Sequence, residues 1–418
     1  MIPQIGAARL LTRLNELASL TDPARPYTRR AFTPLYERGR VWLRAEMERA
    51  GLSVTLDAGG NLSGRREGST PGAATLMIGS HTDTVVGGGR FDGILGVLAA
   101  LEVAHCLHDA GHELSHALEV VDFLSEEPSD YGASCVGSRA LAGTLTPELL
   151  AQTNAHGETL ETAMRRAGAR PEVLRGPLRE AGSIAAYLEL HIEQGPVLET
   201  AGVPIGVVSG IVGIERWELT FSGRPDHAGT TPMALRQDAL VGAAGCVSLL
   251  RQLALEADQQ APLVATVGQL RVSPGNSNVI PGEVVLIFEA RALNAQRLSD
   301  FVAGFLEQAE TLANGADVRL SAKLVSRAAP LVCDAQIQTA VKAACADLEL
   351  PCLTLPSGAG HDAMQVGRLA PAGMLFVPSV GGRSHTPDEL THEADVLAGA
   401  RVLLGAVLKL DEAVARSL

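Results

Sequence analysis

LMIGSHTDTVVGGGRFDGILGVL, residues 76–98, joins an apolar run, a glycine-rich turn and the start of a helix. Residues 74–78 predict a buried strand, and a period of two sends His81 and Asp83 to one side as the chain leaves it. Gly87, Gly88 and Gly89 permit a close turn, after which Asp92 precedes Ile94, Val97, Leu98 and Leu101 at helical spacing. A histidine and two carboxylates thus gather at the carboxyl end of a strand, where open α/β sheets bind their ligands. The plainer alternative makes Asp92 a helix N-cap, Asp83 a turn former and His81 a surface histidine.

Three further runs decide between these readings. Residues 117–124, ALEVVDFL, predict a strand that delivers Glu126 and Glu127 at its end. Adjacent glutamates point apart, so one can hold a metal while the other carries protons. In residues 185–192, AAYLELHI, Glu189 and His191 share one face and Leu188, Leu190 and Ile192 the other. Residues 373–377, GMLFV, lead through Gly381 and Gly382 to Ser384 and His385. Taken singly, the glutamates read as a solvated loop and His191 as a core histidine. Four apolar strands that each end in His, Asp or Glu instead point to a metal centre.

The 418 residues suffice for two or three domains, and 46% hydrophobic content supports proper cores. A net charge of −13 and 3% aromatics argue against nucleic acid and anionic lipid as partners. Six cysteines without a C-x-x-C pair read as small buried hydrophobes in a reducing compartment. No uninterrupted apolar run reaches membrane-spanning length, and the expected location is cytoplasmic. Residues 7–20 and 29–50 carry helical spacing, and 53–56 and 61–63 are short strand candidates.

Residues 213–328 differ in character. Strands at 217–221, 264–272, 284–290 and 318–325, with helices at 236–256 and 299–312, give a β-α-β-β-α-β order. A ferredoxin-like insert thus interrupts a larger α/β domain formed by 1–212 and 329–418.

Pooled, His81, Asp92, Glu127, His191 and His385 give each of two ions three contacts, provided that Asp92 bridges. Nitrogen and carboxylate donors without thiolate suit Zn²⁺, Mn²⁺, Co²⁺ or Ni²⁺. A shared water acidified to roughly neutral pKa would be the nucleophile. Glu126 would take its proton, and Asp83 would hold the His81 imidazole.

The chain resembles the hydantoinase/carbamoylase branch of the dinuclear amidohydrolases related to glutamate carboxypeptidases and aminoacylases. That branch includes N-carbamoyl-L-amino acid hydrolases, β-ureidopropionases and allantoate amidohydrolases. The resemblance spans nearly the whole length and rests on several motifs. These are GSHTDTV with GGRFDG, Glu126–Glu127, LHIEQGPVLE, HAGTTPM with Arg236 and Asp238, Asn278 to Pro281, SGAGHDA and SHTPDE. It implies a mixed-sheet, metallopeptidase-like catalytic domain with His81, Asp92 and His191 around one ion, and Asp92, Glu127 and His385 around the other. It also implies that Glu126 is the general base and that the insert is a lid and homodimerisation domain. There His227 would stabilise the oxyanion from the neighbouring subunit and Arg291 would grip a substrate carboxylate, with Gln194 and Asn278 as further contacts. From the residues alone, His227 reads as a loop histidine and Arg291 as a strand-end surface charge.

The expected activity is metal-dependent hydrolysis of the carbamoyl group of a small carboxylate. Alternatives are an allantoate or ureidoglycolate amidohydrolase and an aminoacylase or peptidase. A noncatalytic small-molecule binding protein is a further reading, against which the intact Glu126 argues. Two departures from the family pattern are the segment 128–132, PSDYG, after the glutamate pair, and Glu289 two residues before Arg291.

Overall fold

Thirteen strands are present in the computed structural model, which describes residues 3–415, and the most buried of them are apolar runs bounded by glycine and polar turns. In chain order they are β1 (Ser53–Leu56), β2 (Leu62–Arg66), β3 (Thr75–His81), β4 (Leu118–Phe123), β5 (Ile184–Ile192) and β6 (Ile205–Ile211). Then follow β7 (Gly213–Ser222), β8 (Leu263–Ser273), β9 (Glu283–Ala292), β10 (Arg319–Ala328), β11 (Leu331–Val332), β12 (Cys352–Ser357) and β13 (Ala372–Val377). One compact unit runs to Ser209 and resumes at Cys333; the other is Gly210–Val332.

The larger unit is built on a mixed sheet in which β1, β2, β4, β3, β5, β13 and β6 are successive neighbours and β12 also pairs with β6. β4, β3, β5 and β13 run parallel, so their carboxyl ends lie along one edge. Every residue of β3, β4 and β13 is buried, as expected of strands covered on both faces. The helix Ile94–Asp109 packs on β3 and β5 and is itself flanked by helices Ala7–Ser19 and Glu393–Ala415. It is apolar nearly all round, as such a position requires. Its one fully buried acid, Glu102, meets Arg9 Nη2 at 2.7 Å and Arg13 Nη1 at 3.1 Å, both from helix Ala7–Ser19. Arg13 Nε also reaches Glu46 at 2.9 Å.

The helix expected over 29–50 begins only at Pro34. Thr33 before it is extended (φ −104°, ψ 157°), the conformation a following proline favours, and its hydroxyl accepts the Tyr36 amide. Arg29 is instead buried in a loop, where its guanidinium donates to the carbonyls of Leu17, Leu20 and Thr82. Five cysteines are buried and Cys352 is exposed, so the expectation of six buried thiols fails at that position.

In the second unit the order is β7, helix Ala239–Asp258, β8, β9, helix Ala295–Gly315, β10. All pairings are antiparallel in a sheet ordered β10-β7-β9-β8. β9 alternates cleanly, sending Val284, Leu286, Phe288, Ala290 and Ala292 inward. Phe288 meets Phe305 edge to face at 4.9 Å between centroids. Helix Ala239–Asp258 starts three residues later than its apolar spacing suggested, because the Asp238 carboxylate caps the amides of Leu240 and Val241. This helix has the length and apolarity to cross a membrane, and its Ala239, Gly242, Ala243, Cys246, Leu250 and Ala254 are buried in this unit. β11 pairs with Gly210 and Ile211, so the chain enters and leaves the unit side by side.

Candidate metal centre

The parallel strands set the site, because each releases its polar residues at the same edge of the sheet. β3 ends at His81, which is 1% exposed. The chain then turns through Gly87–Gly89 to Asp92 and Gly93. Gly93 has φ +66°, and a Cβ there would lie 2.3 Å from His81 Nε2. Glycine is therefore required for the imidazole to sit against the start of the helix. The N-cap position belongs to Gly93 and carries no side-chain cap, so the N-cap alternative for Asp92 is set aside.

The Asp92 carboxylate is divided between two groups of donors. Its Oδ1 lies 3.1 Å from His191 Nε2 and 3.7 Å from His81 Nε2. Its Oδ2 lies 3.1 Å from His385 Nε2, and that same nitrogen is 3.1 Å from Glu127 Oε1. His81, Asp92 and His191 converge as one group, and Asp92, Glu127 and His385 as another. Gln194 donates its amide to Asp92 Oδ2 at 2.8 Å, while its own carbonyl oxygen is buried without a partner.

His81 Nδ1 lies 3.1 Å from the Asp83 carbonyl and His191 Nδ1 lies 2.9 Å from the Ile192 carbonyl. A carbonyl accepts but cannot donate, so each Nδ1 carries hydrogen and each Nε2 is left facing carboxylate oxygen. Against a carboxylate such a lone pair needs a proton or a metal cation, the Gly93 amide 3.2 Å from His191 Nε2 being a neutral donor only, and the donor set therefore fits a divalent ion. Asp83 also accepts the amides of Glu126 at 3.2 Å and Glu127 at 3.1 Å, one on each oxygen. It thereby fixes the glutamate pair as well as the imidazole. Glu126 Oε2 faces His81 Nε2 at 3.7 Å, and Glu127 faces His385.

The electrostatics follow from this crowding. Burial opposes charge on His81, but its contact with Asp83 and the charges of Glu126 and Asp92 hold the imidazolium well above its ordinary range. Contacts with Asp92 and Glu127 carry His385 up to about 11. Burial would raise Asp92, yet His191 and His385 hold it well below the usual carboxylate range. Burial, opposed by His81 and reinforced by Glu127, pushes Glu126 well above that range.

Several residues around the centre carry no role in the sequence reading. His361, within SGAGHDA, stacks edge-on to His191 at 4.5 Å and contacts Ser357 Oγ at 2.9 Å. Burial and the His191 charge push its pKa well below the ordinary value. Glu189 accepts from Ser80 Oγ, Tyr187 Oη and the Ala363 amide behind His191. Ser384 and Glu389 flank His385. Motif membership was the available signal for His361, Ser384 and Glu389. The departing segment at 128–132 packs on the loop before Pro34, through Tyr131 on Phe32 and Asp130 on Arg30.

The remaining expected residues lie in the second unit. His227 is exposed and forms a β-bridge with Val279, which brings it beside Asn278. Arg291, near the end of β9, is joined to Glu289 Oε1 at 2.6 Å, and Arg216 takes the other Glu289 oxygen at 2.7 Å.

Residues 77–409 match the model of Peptidase family M20/M25/M40. The chain belongs to that family. This M20/M25/M40 chain is 42% identical to an N-carbamoyl-L-amino acid amidohydrolase of Geobacillus stearothermophilus, over 97% of its length and 99% of the relative's. It is 34% identical to a ureidoglycolate hydrolase of Arabidopsis thaliana, over 97% of its length and 87% of the relative's. A solved amidase of the hydantoinase/carbamoylase family from Burkholderia multivorans matches its fold with a TM-score of 0.89 at 36% identity, covering 98% of each chain. These likenesses bear out the resemblance drawn from the motifs.

Proposed function

We propose that the protein is a dinuclear metal-dependent amidohydrolase acting on an N-carbamoyl-L-amino acid or a similar small ureido carboxylate. Water adds to the ureido carbon, its C–N bonds break, and the free amine, carbon dioxide and ammonia leave. The observation that carries this reading is Asp92, whose two oxygens serve two separate donor groups beside Glu126.

Two divalent ions, held by His81–Asp92–His191 and by Asp92–Glu127–His385, would supply Lewis acidity and a water of lowered pKa. Glu126 would take a proton from the attacking water and pass it to the departing nitrogen. Its enclosure supports the role, since burial holds the carboxyl above its usual range and so makes the carboxylate a stronger acceptor for that proton. Asp83 anchors Glu126 and Glu127 through their amides, and Gln194 steadies Asp92 and contacts substrate.

The ferredoxin-like insert acts as lid and homodimer contact. There His227 stabilises the oxyanion, and Asn278 and Arg291 bind the substrate, Arg291 through a bidentate contact to its carboxylate. Glu289 orients Arg291 for that contact. Unpaired cysteines, five of them buried, accord with a cytoplasmic enzyme.

The test is turnover of metal-loaded protein on N-carbamoyl-α-amino acids, N-carbamoyl-β-alanine, allantoate, ureidoglycolate and N-acetyl amino acids, with ammonia and amine assayed. Ammonia and amine from an N-carbamoyl-L-amino acid support the reading. Preference for ureidoglycolate or allantoate moves the enzyme to the neighbouring activity. Binding without turnover on every compound overturns it.

A further inference from the structure

We infer that Glu389 is a positioning residue, which through Ser384 couples the bridging Asp92 to the arm that carries His385. The inference rests on the two-ion reading above and adds what sets the second ion's affinity. Glu389 is 3% exposed, although it lies in an irregular segment and pairs with no cationic side chain among the described residues. Its Oε1 accepts the amides of Phe91 at 2.9 Å and Asp92 at 3.1 Å. Its Oε2 accepts the Ser384 hydroxyl at 2.7 Å, and that hydroxyl also lies 3.0 Å from Asp92 Oδ2. The carboxylate lies against Gly89, where a Cβ would come within 1.8 Å of Oε1. Its backbone amide donates to the Thr386 carbonyl at 3.0 Å and closes the turn after His385. One side chain thus ties together two ligand-bearing loops that are nearly 300 residues apart in sequence.

The two donor groups depend on this tie unequally. His81 and His191 are anchored by their own Nδ1 contacts to backbone carbonyls. Among the described residues His385 Nδ1 has no hydrogen-bond partner, its backbone φ is +57° and its side chain is 49% exposed. Its placement relies on the arm, and the arm is held to Asp92 through Ser384 and Glu389. Residues that orient metal ligands typically set about 10–100-fold in affinity when removed. The loss should fall on the Asp92–Glu127–His385 position.

Chelator-dialysed protein is titrated with Zn²⁺ against a chromophoric competitor, and bound Mn²⁺ is followed by electron paramagnetic resonance. Wild type should take two ions and show the spectrum of a coupled pair. Glu389→Gln keeps an acceptor for the amides but loses the second carboxylate oxygen. It should bind the second ion about 10–100-fold more weakly and lose the coupled signal, with the first ion retained. Ser384→Ala deletes a single oxygen and should reproduce the pattern without endangering the fold. Gly89→Ala should reproduce it from the opposite side. Two ions bound to Glu389→Gln and Ser384→Ala with wild-type affinity overturn the inference, as does equal weakening of both ions. A wild type that takes one ion overturns the two-ion reading and the inference with it.

Discussion

The two donor groups that share Asp92 are built in opposite ways. His81 and His191 are each 1% exposed, belong to strands β3 and β5, and have one ring nitrogen fixed to backbone. Glu127 and His385 come from loops, and the His385 side chain is half exposed. The inner group is preorganised by the sheet, whereas the outer is assembled by side chains reaching between loops. An ion in the inner group should therefore be slow to exchange and one in the outer group labile, so a site of two ions need not fill or empty in one step.

The comparison breaks most severely at the shared residue. Asp92→Ala is expected to abolish turnover and reduce metal content from two ions to less than one; elemental analysis showing two ions would end the bridging assignment. The glutamates separate the chemistry from the binding. Glu126→Gln should lower kcat about 10²–10⁴-fold with both ions retained, while Glu127→Gln should lose the outer ion. Exchanged phenotypes would reverse the pair.

The histidines then sharpen the contrast between the groups. His385→Ala should lose the outer ion and retain the inner one. His191→Ala should lose the inner ion and destabilise by about 1–3 kcal/mol, because the buried Asp92 and the Gly93 amide lose a partner. Loss of the inner ion from His385→Ala as well would mean that the sheet does not preorganise the inner group.

The smallest effect concerns protons. In metal-free protein the folded His385 titrates near 11, against about 6.5 in the unfolded chain. This raised value contributes stability below about pH 6.5 that is lost as pH rises through the folded value. Burial of Glu126 acts in the same direction, since its raised carboxyl penalises ionisation in the folded state. Metal-free protein should thus melt lower at about pH 9.5 than at about pH 6, and added divalent ion should reverse the trend by replacing the protons. Unchanged melting with pH would show that the imidazoles and carboxylates are not so coupled.

The inner group was legible in the sequence because strand periodicity and strand ends carry it: His81 and His191 follow apolar runs that fold as β3 and β5. Asp92 was legible as a candidate but ambiguous, since Asp before a helix is also a common cap. The left-handed Gly93, which takes the cap position and frees the carboxylate, leaves no periodic trace. Ser384 and Glu389 were visible within SHTPDE, but their partners, the Phe91 and Asp92 amides and Asp92 Oδ2, lie in a loop remote in sequence. Backbone amides have no residue signature. The same applies to Asp83, whose carboxylate grips two amides rather than acting on the imidazole alone.

Glu102 gives the opening helix a weight that its lack of metal ligands conceals. A chain shortened to begin after Ser19 would keep every candidate ligand but remove Arg9 and Arg13, the cations that meet this fully buried carboxylate. Stranding a buried charge costs about 3–5 kcal/mol, a sizeable share of a domain's net stability. Such a shortened chain should unfold at markedly lower denaturant concentration, and Glu102→Gln within it should restore part of the loss. A shared midpoint for full-length and shortened proteins would show that the carboxylate finds another counter-charge. Trimming or redesigning this amino-terminal segment therefore calls for neutralising position 102 at the same time.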